Sequence, residues 1–576
     1  MKAIRRKILN SCYVAHAVRI LAGSTIASIM ILAVTGCGYN AEEQQAVDFI
    51  KSHVEVVKPL LIESNIAYWE AANSGKAEDY DKVSALELEI RQIYSDHEEY
   101  ALVKKLKESG KVKDRLLARQ VAGLYNSYLE NQIEPELLKT IVDLSNEIQK
   151  DFSIYRATIG GEKVTDNRIK EILKTEADSE KRKETWLASK QVGVVVADDL
   201  IRLVKLRNEA ARKVGFDNFH TLSLTTSEQK VEDLDRILGE LEELTNVPFA
   251  EIKAELDSRL ADMYDVKAED LAPWHYHDPF FQETPLVYDL DLDAYYQNQD
   301  VKDLAVAYFA GIGLPVESII ARSDLYEREG KNPHAFCTNI DREGDVRILC
   351  NLKNNESWME TMLHELGHAV YSKFNDPDVP FGLRTSAHIF TTEAIAMFFG
   401  RLSRNAAWMQ ATLGLSDQQR TEIQEVSRKY SQLKQLIFAR WDLVMYNFEK
   451  QLYANPDQDL NALWWEMVEK YQLVKKPEGR AAPDWAAKIH FAIAPCYYHN
   501  YLLGELLASQ IHHHLVFQVL GLEAGQDVGY VGVPDIGEFL RKSVFEPGAV
   551  YHWDEMIERA TGEPLMPKYF VDEFVH

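Results

Sequence analysis

Cysteine is scarce in this chain of 576 residues, which contains only five. So low a content excludes the small secreted scaffolds that depend on a dense disulfide framework. Basic residues are also in deficit, because 64 Lys and Arg face 90 Asp and Glu and leave a net charge of −26. An acidic surface repels nucleic-acid phosphates, so the composition argues against a nucleic-acid partner.

Long apolar runs are also lacking. The mostly apolar stretch from Ile20 to Val34 is slightly short for a membrane span of about 20 residues. It follows a basic segment and ends in small residues directly before Cys37. We interpret residues 1–36 as a bacterial lipoprotein signal peptide and Cys37 as the lipidated residue. This predicts an exported protein, lipid-anchored to the cell envelope on the periplasmic side or outer membrane; an uncleaved signal anchor is the alternative.

The remaining residues, 37–576, show helical apolar spacing over most of their length and no internal repeat. In the first half the predicted helices are Ala46–Asn73, Asp79–Glu108, Lys111–Lys150, Glu180–Val214 and Ser227–Leu260. A body of this size exceeds what one core usually fills, so we expect a mainly α fold of two lobes with a central cleft. The helical region of about 41–265 is interpreted as a lid over that cleft, although a solvated bundle would show the same pattern.

One stretch carries a strong chemical signal, Trp358–Tyr371, which reads WMETMLHELGHAVY. Its apolar residues recur at helical spacing, and His364 and His368, four residues apart, project from one face. Two imidazoles placed in this way can bind one zinc ion, and Glu365 between them can accept a proton from water. The sequence therefore predicts a catalytic zinc site in a region of about 330–576.

A catalytic zinc usually has three protein ligands. The acidic candidates that follow the motif are Asp376, Asp378, Glu393 and Asp417. Glu393 lies in an otherwise apolar helical segment, TEAIAMFFG, where an unpaired carboxylate would be costly to bury. Metal coordination removes that cost, so Glu393 is the predicted third ligand of a single Zn²⁺.

The segment CTNIDREGDVRILC predicts a β-hairpin just before the zinc helix. A two-residue turn at Glu343-Gly344 would place Cys337 opposite Cys350. A disulfide between them is then possible in an oxidising compartment; two separate buried thiols are the alternative.

Downstream, KIHFAIAPCYYHNYLLGELL groups a lysine, histidines and tyrosines. Tyrosines at helical spacing usually belong to a core, but this cluster is unusually polar. Its candidate functional residues are Lys488, His490, Tyr497, Tyr498 and Tyr501.

The HELGH motif, Glu393 in EAIA, the Lys-x-His pair and the YYHNYLLGELLASQ stretch together resemble the angiotensin-converting-enzyme family of zinc peptidyl-dipeptidases. The closing segment HWDEMIERATGEPLMPKYFVDEF is similar to the C-terminal end of that family. The resemblance implies a helical gluzincin fold with a small β-hairpin near the zinc, peptide substrates, and release of C-terminal dipeptides.

By this resemblance, Glu365 would be the general base, and His490 and Tyr501 would stabilise the tetrahedral intermediate. Three further residues would bind the terminal carboxylate of the substrate: Lys488, Tyr498 and, from DPFFQ, Gln282. His334 and Ala335, in NPHAFC, would lie on the strand that pairs with the peptide.

Two residues depart from this family, and three alternatives stay open. Met397 stands where the family has an aspartate near the zinc ligands, and Asn500 stands where it has a chloride-binding arginine. Tyr497 and Tyr498 exchange roles if the alignment slips by one residue. HAFC and TTEA also resemble the thimet-type oligopeptidases, which cut internally, and a non-catalytic lipid-anchored binding protein is the alternative from another class.

Overall fold

The structure is a computed structural model that describes residues 38–288, 291–523 and 526–575. The predictions for residues 1–36 and for Cys37 lie outside the described residues. Residues 42–576 form one compact unit, and the division into two lobes stays a prediction.

The N-terminal half is helical apart from one small hairpin of strands β1 and β2. Its elements are α1 (Ala41–Ser74), α2 (Ala77–Tyr94), α3 (His97–Glu108), α4 (Arg115–Glu130), α5 (Pro135–Ile154), β1 (Ala157–Ile159), β2 (Glu162–Val164), α6 (Asp166–Thr175), α7 (Ser179–Lys213), α8 (Phe219–Thr226), α9 (Val231–Tyr264), α10 (Asp293–Tyr296), α11 (Val301–Gly311) and α12 (Glu317–Ile320).

The C-terminal half contains a second hairpin, β3–β4, followed by helices. Its elements are β3 (Phe336–Asn339), β4 (Val346–Leu349), α13 (Glu356–Lys373), α14 (Ile389–Gly400), α15 (Ala406–Leu413), α16 (Asp417–Ala454), α17 (Leu460–Gln472), α18 (His490–Ile493), α19 (His499–His514), α20 (Pro534–Leu540), α21 (Trp553–Thr561) and α22 (Lys568–Phe574). The described strands form two antiparallel, two-stranded hairpins, and the other regular elements are helices. The predicted mainly α fold class is confirmed.

Two of the long predicted helices are interrupted. The segment predicted over Asp79–Glu108 breaks before Asp96, whose side chain caps α3 by accepting the Glu98 and Glu99 N–H groups. The segment predicted over Lys111–Lys150 breaks before Pro135, which begins α5. Proline is favoured at the first helical position because its missing N–H would be unpaired there anyway.

The β3–β4 hairpin differs in register from the prediction. Cys337 pairs with Ile348 rather than Cys350, and four residues, 341–344, connect the strands after Ile340. The Asp341 carboxylate accepts the N–H groups of Glu343 (2.7 Å) and Asp345 (3.0 Å), which stabilises this longer loop. The prediction that Cys337 faces Cys350 is wrong, and both are free thiols in this structure rather than a disulfide.

Three helices that carry the candidate site approach one another closely. A Cβ on Gly367 of α13 would lie 2.7 Å from Ala396 Cα of α14. A Cβ on Gly504 of α19 would lie 3.1 Å from Glu393 Cβ of α14. The two glycines therefore let α13 and α19 pack on opposite sides of α14, with their apolar faces in the main hydrophobic core.

No helix among the described residues is both long enough and apolar enough to span a bilayer.

Candidate metal centre

Helix α13 presents the two histidines as the sequence predicts. It begins after Asn355, whose side chain accepts the Trp358 N–H at 2.9 Å. The rings of His364 and His368 lie on one face with their centroids 4.9 Å apart. The fixed helix start and the close packing at Gly367 hold both imidazoles toward α14.

Glu393 on α14 completes a set of three residues that could hold a metal ion. Its Oε2 lies 3.8 Å from Nε2 of His364 and 3.8 Å from Nε2 of His368. One potential ligand atom from each residue lies within 4.8 Å of the others. Ligands bound to one tetrahedral zinc at about 2.0–2.1 Å would be roughly 3.4 Å apart, so the site fits zinc after a small contraction.

The partner that orients His368 was not predicted. Its Nδ1 lies 2.8 Å from the Thr392 hydroxyl, which directs Nε2 toward Glu393. Met397 stands where the resemblance places an aspartate near the ligands. Thr392, the residue directly before Glu393, orients His368 instead. A hydroxyl next to a candidate ligand was the feature of the sequence that could have indicated this role.

Burial sets the protonation of the ligands. It lowers the pKa of His364 to about 4, so this imidazole is neutral near pH 7, the form that binds metal. Burial raises the pKa of Glu393 to about 7, while the hydrogen bond from Tyr497 acts in the opposite direction. An uncompensated carboxylate is thus costly here, which is the situation that a bound cation relieves.

Glu365 lies between the two histidines and is 7% exposed. Burial, with a smaller contribution from Glu393, raises its pKa to about 8. Its place between the two histidines and its raised pKa are consistent with the predicted role of a general base.

Tyr497 contacts Glu393, and Tyr501 lies beside Tyr497. The Tyr497 hydroxyl donates to Glu393 Oε1 at 3.3 Å, and its ring is 5.2 Å from that of Tyr501. Burial and then the charge of Glu393 raise the pKa of Tyr501. Tyr497, whose role the sequence left open, therefore belongs to the metal centre.

His490 lies in the one-turn helix α18. Its Nδ1 is buried and has no hydrogen-bond partner among the described residues. Burial and the charge of Lys488 lower the pKa of His490 to about 4. Its ring is 5.2 Å from that of Tyr498, one of the residues expected to bind a terminal carboxylate.

The three residues expected to bind a terminal carboxylate come together. Lys488 Nζ donates to Gln282 Oε1 at 2.6 Å and lies 5.2 Å from the ring centroid of Tyr498. The Tyr498 hydroxyl accepts the Trp441 indole N–H at 2.8 Å. Gln282 is positioned by Asp278, whose carboxylate accepts its backbone N–H at 3.0 Å.

His334 and Ala335 directly precede β3, and neither lies within that strand. His334 is exposed and Ala335 is half-buried. The inner edge of β3 pairs with β4, and β4 also forms a bridge between Leu349 and Asp324. The pairing of a peptide with residues 334–335 stays a prediction.

Asn500 is the residue that the sequence resemblance places where the family has a chloride-binding arginine. Its amide accepts a hydrogen bond from Gln229 at 2.9 Å and donates one to the Tyr497 carbonyl at 3.0 Å. Its oxygen and nitrogen are thus engaged within the protein.

A cavity of about 720 Å³ begins one helical turn before His364, at Glu360. One wall is polar and belongs to α16, including Ser427, Lys434 and Gln435; apolar residues such as Phe398 contribute elsewhere. This volume is in the range of sites that enclose small ligands or several side chains.

A helical fold with two histidines and a glutamate from successive helices defines a gluzincin-type metal centre. Residues 40–275 match the family model described as angiotensin-converting enzyme, and residues 317–576 match that of peptidase family M3. Thermostable carboxypeptidase 1 of Pyrococcus furiosus is 24% identical over 268 residues, which cover 41% of this chain and 51% of that protein. The chain thus spans about half the length of this curated relative.

These matches confirm the resemblance to the angiotensin-converting-enzyme-like gluzincin metallopeptidases that was predicted from the sequence. Both matched families are zinc-dependent, which supports zinc as the cofactor. That the site holds a single ion stays a prediction.

Proposed function

We propose that this protein is a zinc-dependent peptidyl-dipeptidase, which hydrolyses oligopeptides and releases dipeptides from their C-termini. The observation that carries the proposal is the group formed by Lys488, Gln282 and Tyr498. The Tyr498 ring lies 5.2 Å from that of His490 and 5.5 Å from that of Tyr501. An ammonium, an amide and a phenol can together bind a carboxylate through charge-assisted hydrogen bonds.

His364, His368 and Glu393 would hold zinc, which supplies Lewis-acid polarisation of the peptide carbonyl when bound. Glu365 accepts a proton from the attacking water and delivers it to the leaving amine. His490 and Tyr501 donate hydrogen bonds to the oxygen on which negative charge develops. Tyr497, through its hydrogen bond to Glu393, holds that ligand in place.

The cleavage position follows from where the carboxylate is held. If Lys488 binds the C-terminus two residues beyond the metal centre, the penultimate peptide bond lies over Glu365. Such a site would also require that no residue of the substrate extend beyond the carboxylate bound at Lys488. This requirement distinguishes an enzyme that releases C-terminal residues from one that cuts internally.

A second candidate is internal cleavage of the thimet type, which the match of residues 317–576 to peptidase family M3 favours. The name of the archaeal relative, a carboxypeptidase, is instead consistent with recognition of a free C-terminus. The non-catalytic alternative is disfavoured because Glu365 and all three ligands are in place.

The deciding experiment compares one decapeptide with a free and with an amidated C-terminus, analysed by mass spectrometry. We expect successive loss of dipeptides from the free peptide and a rate at least about tenfold lower for the amide, since a charged hydrogen bond contributes about 1.5–3 kcal/mol. Lys488→Met should remove this difference, while Lys434→Met, on the cavity wall, should retain it. Equal rates with internal fragments would establish the thimet-type reaction instead.

We also propose that the protein acts outside the cytoplasm, attached to the cell envelope by lipid on Cys37. The basic segment, the apolar stretch and the small residues before Cys37 support this localisation. Its substrates would then be peptides of the envelope or the periplasm.

A further inference from the structure

The segment between His490 and Tyr497 connects the two sides of the candidate active site. His490 begins the one-turn helix α18, and Tyr497 follows a backbone reversal at Cys496, where φ is +55°. A non-glycine residue in the left-handed region carries a conformational cost, so surrounding contacts must stabilise it. The positions of both side chains therefore depend on what holds residues 491–496.

Arg207 of α7 holds the first part of this segment. Its guanidinium donates to the Phe491 carbonyl at 2.9 Å and to the Ala492 carbonyl at 2.6 Å. It also donates to the Tyr453 hydroxyl at 3.2 Å. Arg207 is 7% exposed, and a buried arginine with three such acceptors is fixed in orientation.

Glu449 of α16 holds the second part. Its Oε1 accepts the Cys496 N–H at 2.9 Å, directly at the left-handed residue. Glu449 is 4% exposed, and its pKa is raised to about 8 by burial, against which the Cys496 N–H and the charge of Arg207 act. Two buried ionisable groups from different helices thus bind the backbone of the same short segment.

We propose that Arg207 and Glu449 are positioning residues that set the separation and orientation of His490 and Tyr497. None of their hydrogen bonds described above involves a metal ligand or a carboxylate-binding residue, so they act through the segment alone. Small displacements of groups that act in the transition state can lower the rate by about a hundredfold. This inference rests on the proposed peptidase function.

The test variants are Arg207→Gln and Glu449→Gln, with Arg207→Lys as a milder change that retains the charge. Arg440→Gln is the matched control, because Arg440 is also buried on α16 but bonds only toward α9, at Glu242, Thr245 and Asn246. Removing either arginine costs stability, but only Arg207 contacts the segment.

For Arg207→Gln we expect kcat to fall about ten- to a hundredfold while KM changes less than about threefold, since positioning acts on the transition state. The kcat of Arg207→Lys should lie between that of Arg207→Gln and that of the wild type. In a His490→Ala, Tyr497→Phe background, Arg207→Gln should cause no further loss, because the residues it positions are gone.

The second readout uses metal-free protein and does not depend on activity. Hydrogen–deuterium exchange of residues 490–497 should be at least about tenfold faster in Arg207→Gln and Glu449→Gln and unchanged in Arg440→Gln. Unchanged exchange in the first two variants would overturn the inference, as would an equal kcat loss in Arg440→Gln. If wild-type protein with zinc cleaves no peptide, the proposed function fails, while the exchange measurement still decides the positioning.

Discussion

Protonation at individual residues determines what the metal centre can do. Glu365 is buried beside Glu393, and it lies near the thiols of Cys337 and Cys350, whose pKa values are raised by burial and then by Glu365. The thiols therefore stay protonated and uncharged near pH 7. Of these four groups, Glu365 and Glu393 are the ones that titrate near neutral pH, since their pKa values are raised to about 8 and about 7.

The first prediction is for Glu365→Gln, which retains the shape of the side chain but cannot accept a proton. We expect hydrolysis to slow by about 10²–10⁴-fold or more, with zinc retained. The measurement is the peptidase rate together with metal content. Glu356→Gln is the control, because Glu356 is also buried on α13 but pairs with Arg404; a near-wild-type rate for Glu365→Gln would refute the assignment of the base.

A second prediction concerns the pH dependence of substrate binding by Lys488. Burial lowers the pKa of Lys488 to about 8; Asp278 and Glu283 act against this shift, and Lys170 adds to it. Only the ammonium form binds a carboxylate strongly, so binding is complete below that pKa and is lost as pH rises through it. We expect KM for a free peptide to rise about tenfold between pH 7 and 9.

The control for this profile is the amidated peptide, whose KM should stay nearly constant over the same range. Lys488→Met should show the same flat profile with the free peptide. A rise of equal size for both peptides would indicate that another group titrates.

At the scale of elements, the site depends on how closely α13 and α14 pack. We predict that Gly367→Ala lowers the free energy of unfolding by about 1–3 kcal/mol, because its Cβ would lie 2.7 Å from Ala396 Cα and the helices must separate. Since two ligands are on α13 and the third is on α14, zinc affinity should fall with it.

Thermal unfolding and competition with a chelator measure the two effects of Gly367→Ala. Gly239→Ala is the matched control, because a Cβ on Gly239 of α9 meets nothing within 4 Å. It should be neutral or slightly stabilising, as alanine has the higher helix propensity. Gly367→Ala with unchanged zinc affinity would show that the packing of α13 on α14 does not set the ligand geometry.

Local patterns predicted some elements of the site and could not predict others. His364 and His368 follow from the periodicity of one helix, and Glu393 follows from the cost of a carboxylate in an apolar helix. The predicted hairpin register was wrong because the observed register depends on a four-residue loop. The Asp341 carboxylate stabilises that loop by accepting hydrogen bonds from backbone N–H groups. Tyr497 could not be placed because its position depends on the left-handed backbone at Cys496.

For the whole molecule, the helical spacing of apolar residues predicted a mainly helical fold, which the structure confirms. Such spacing does not indicate which distant segments of the chain meet. Gln282 and Lys488 are 206 residues apart in sequence and hydrogen-bonded in the structure, and they were paired in advance only through family resemblance. Arg207 precedes Phe491 by 284 residues, and no pattern in the sequence indicated that the two would be hydrogen-bonded.

The last prediction concerns attachment of the whole chain to the membrane. A net charge of −26 disfavours electrostatic binding to anionic lipid, and no described helix is able to span a bilayer. If lipid on Cys37 is the anchor, a high-salt wash should leave the wild-type protein in the membrane fraction, while Cys37→Ser should lose lipid labelling and signal-peptide cleavage. Cys12→Ser is the matched control, because Cys12 lies within the same N-terminal segment and should change neither property. If Cys37→Ser retains the mass and membrane fraction of the wild type, the segment is an uncleaved signal anchor.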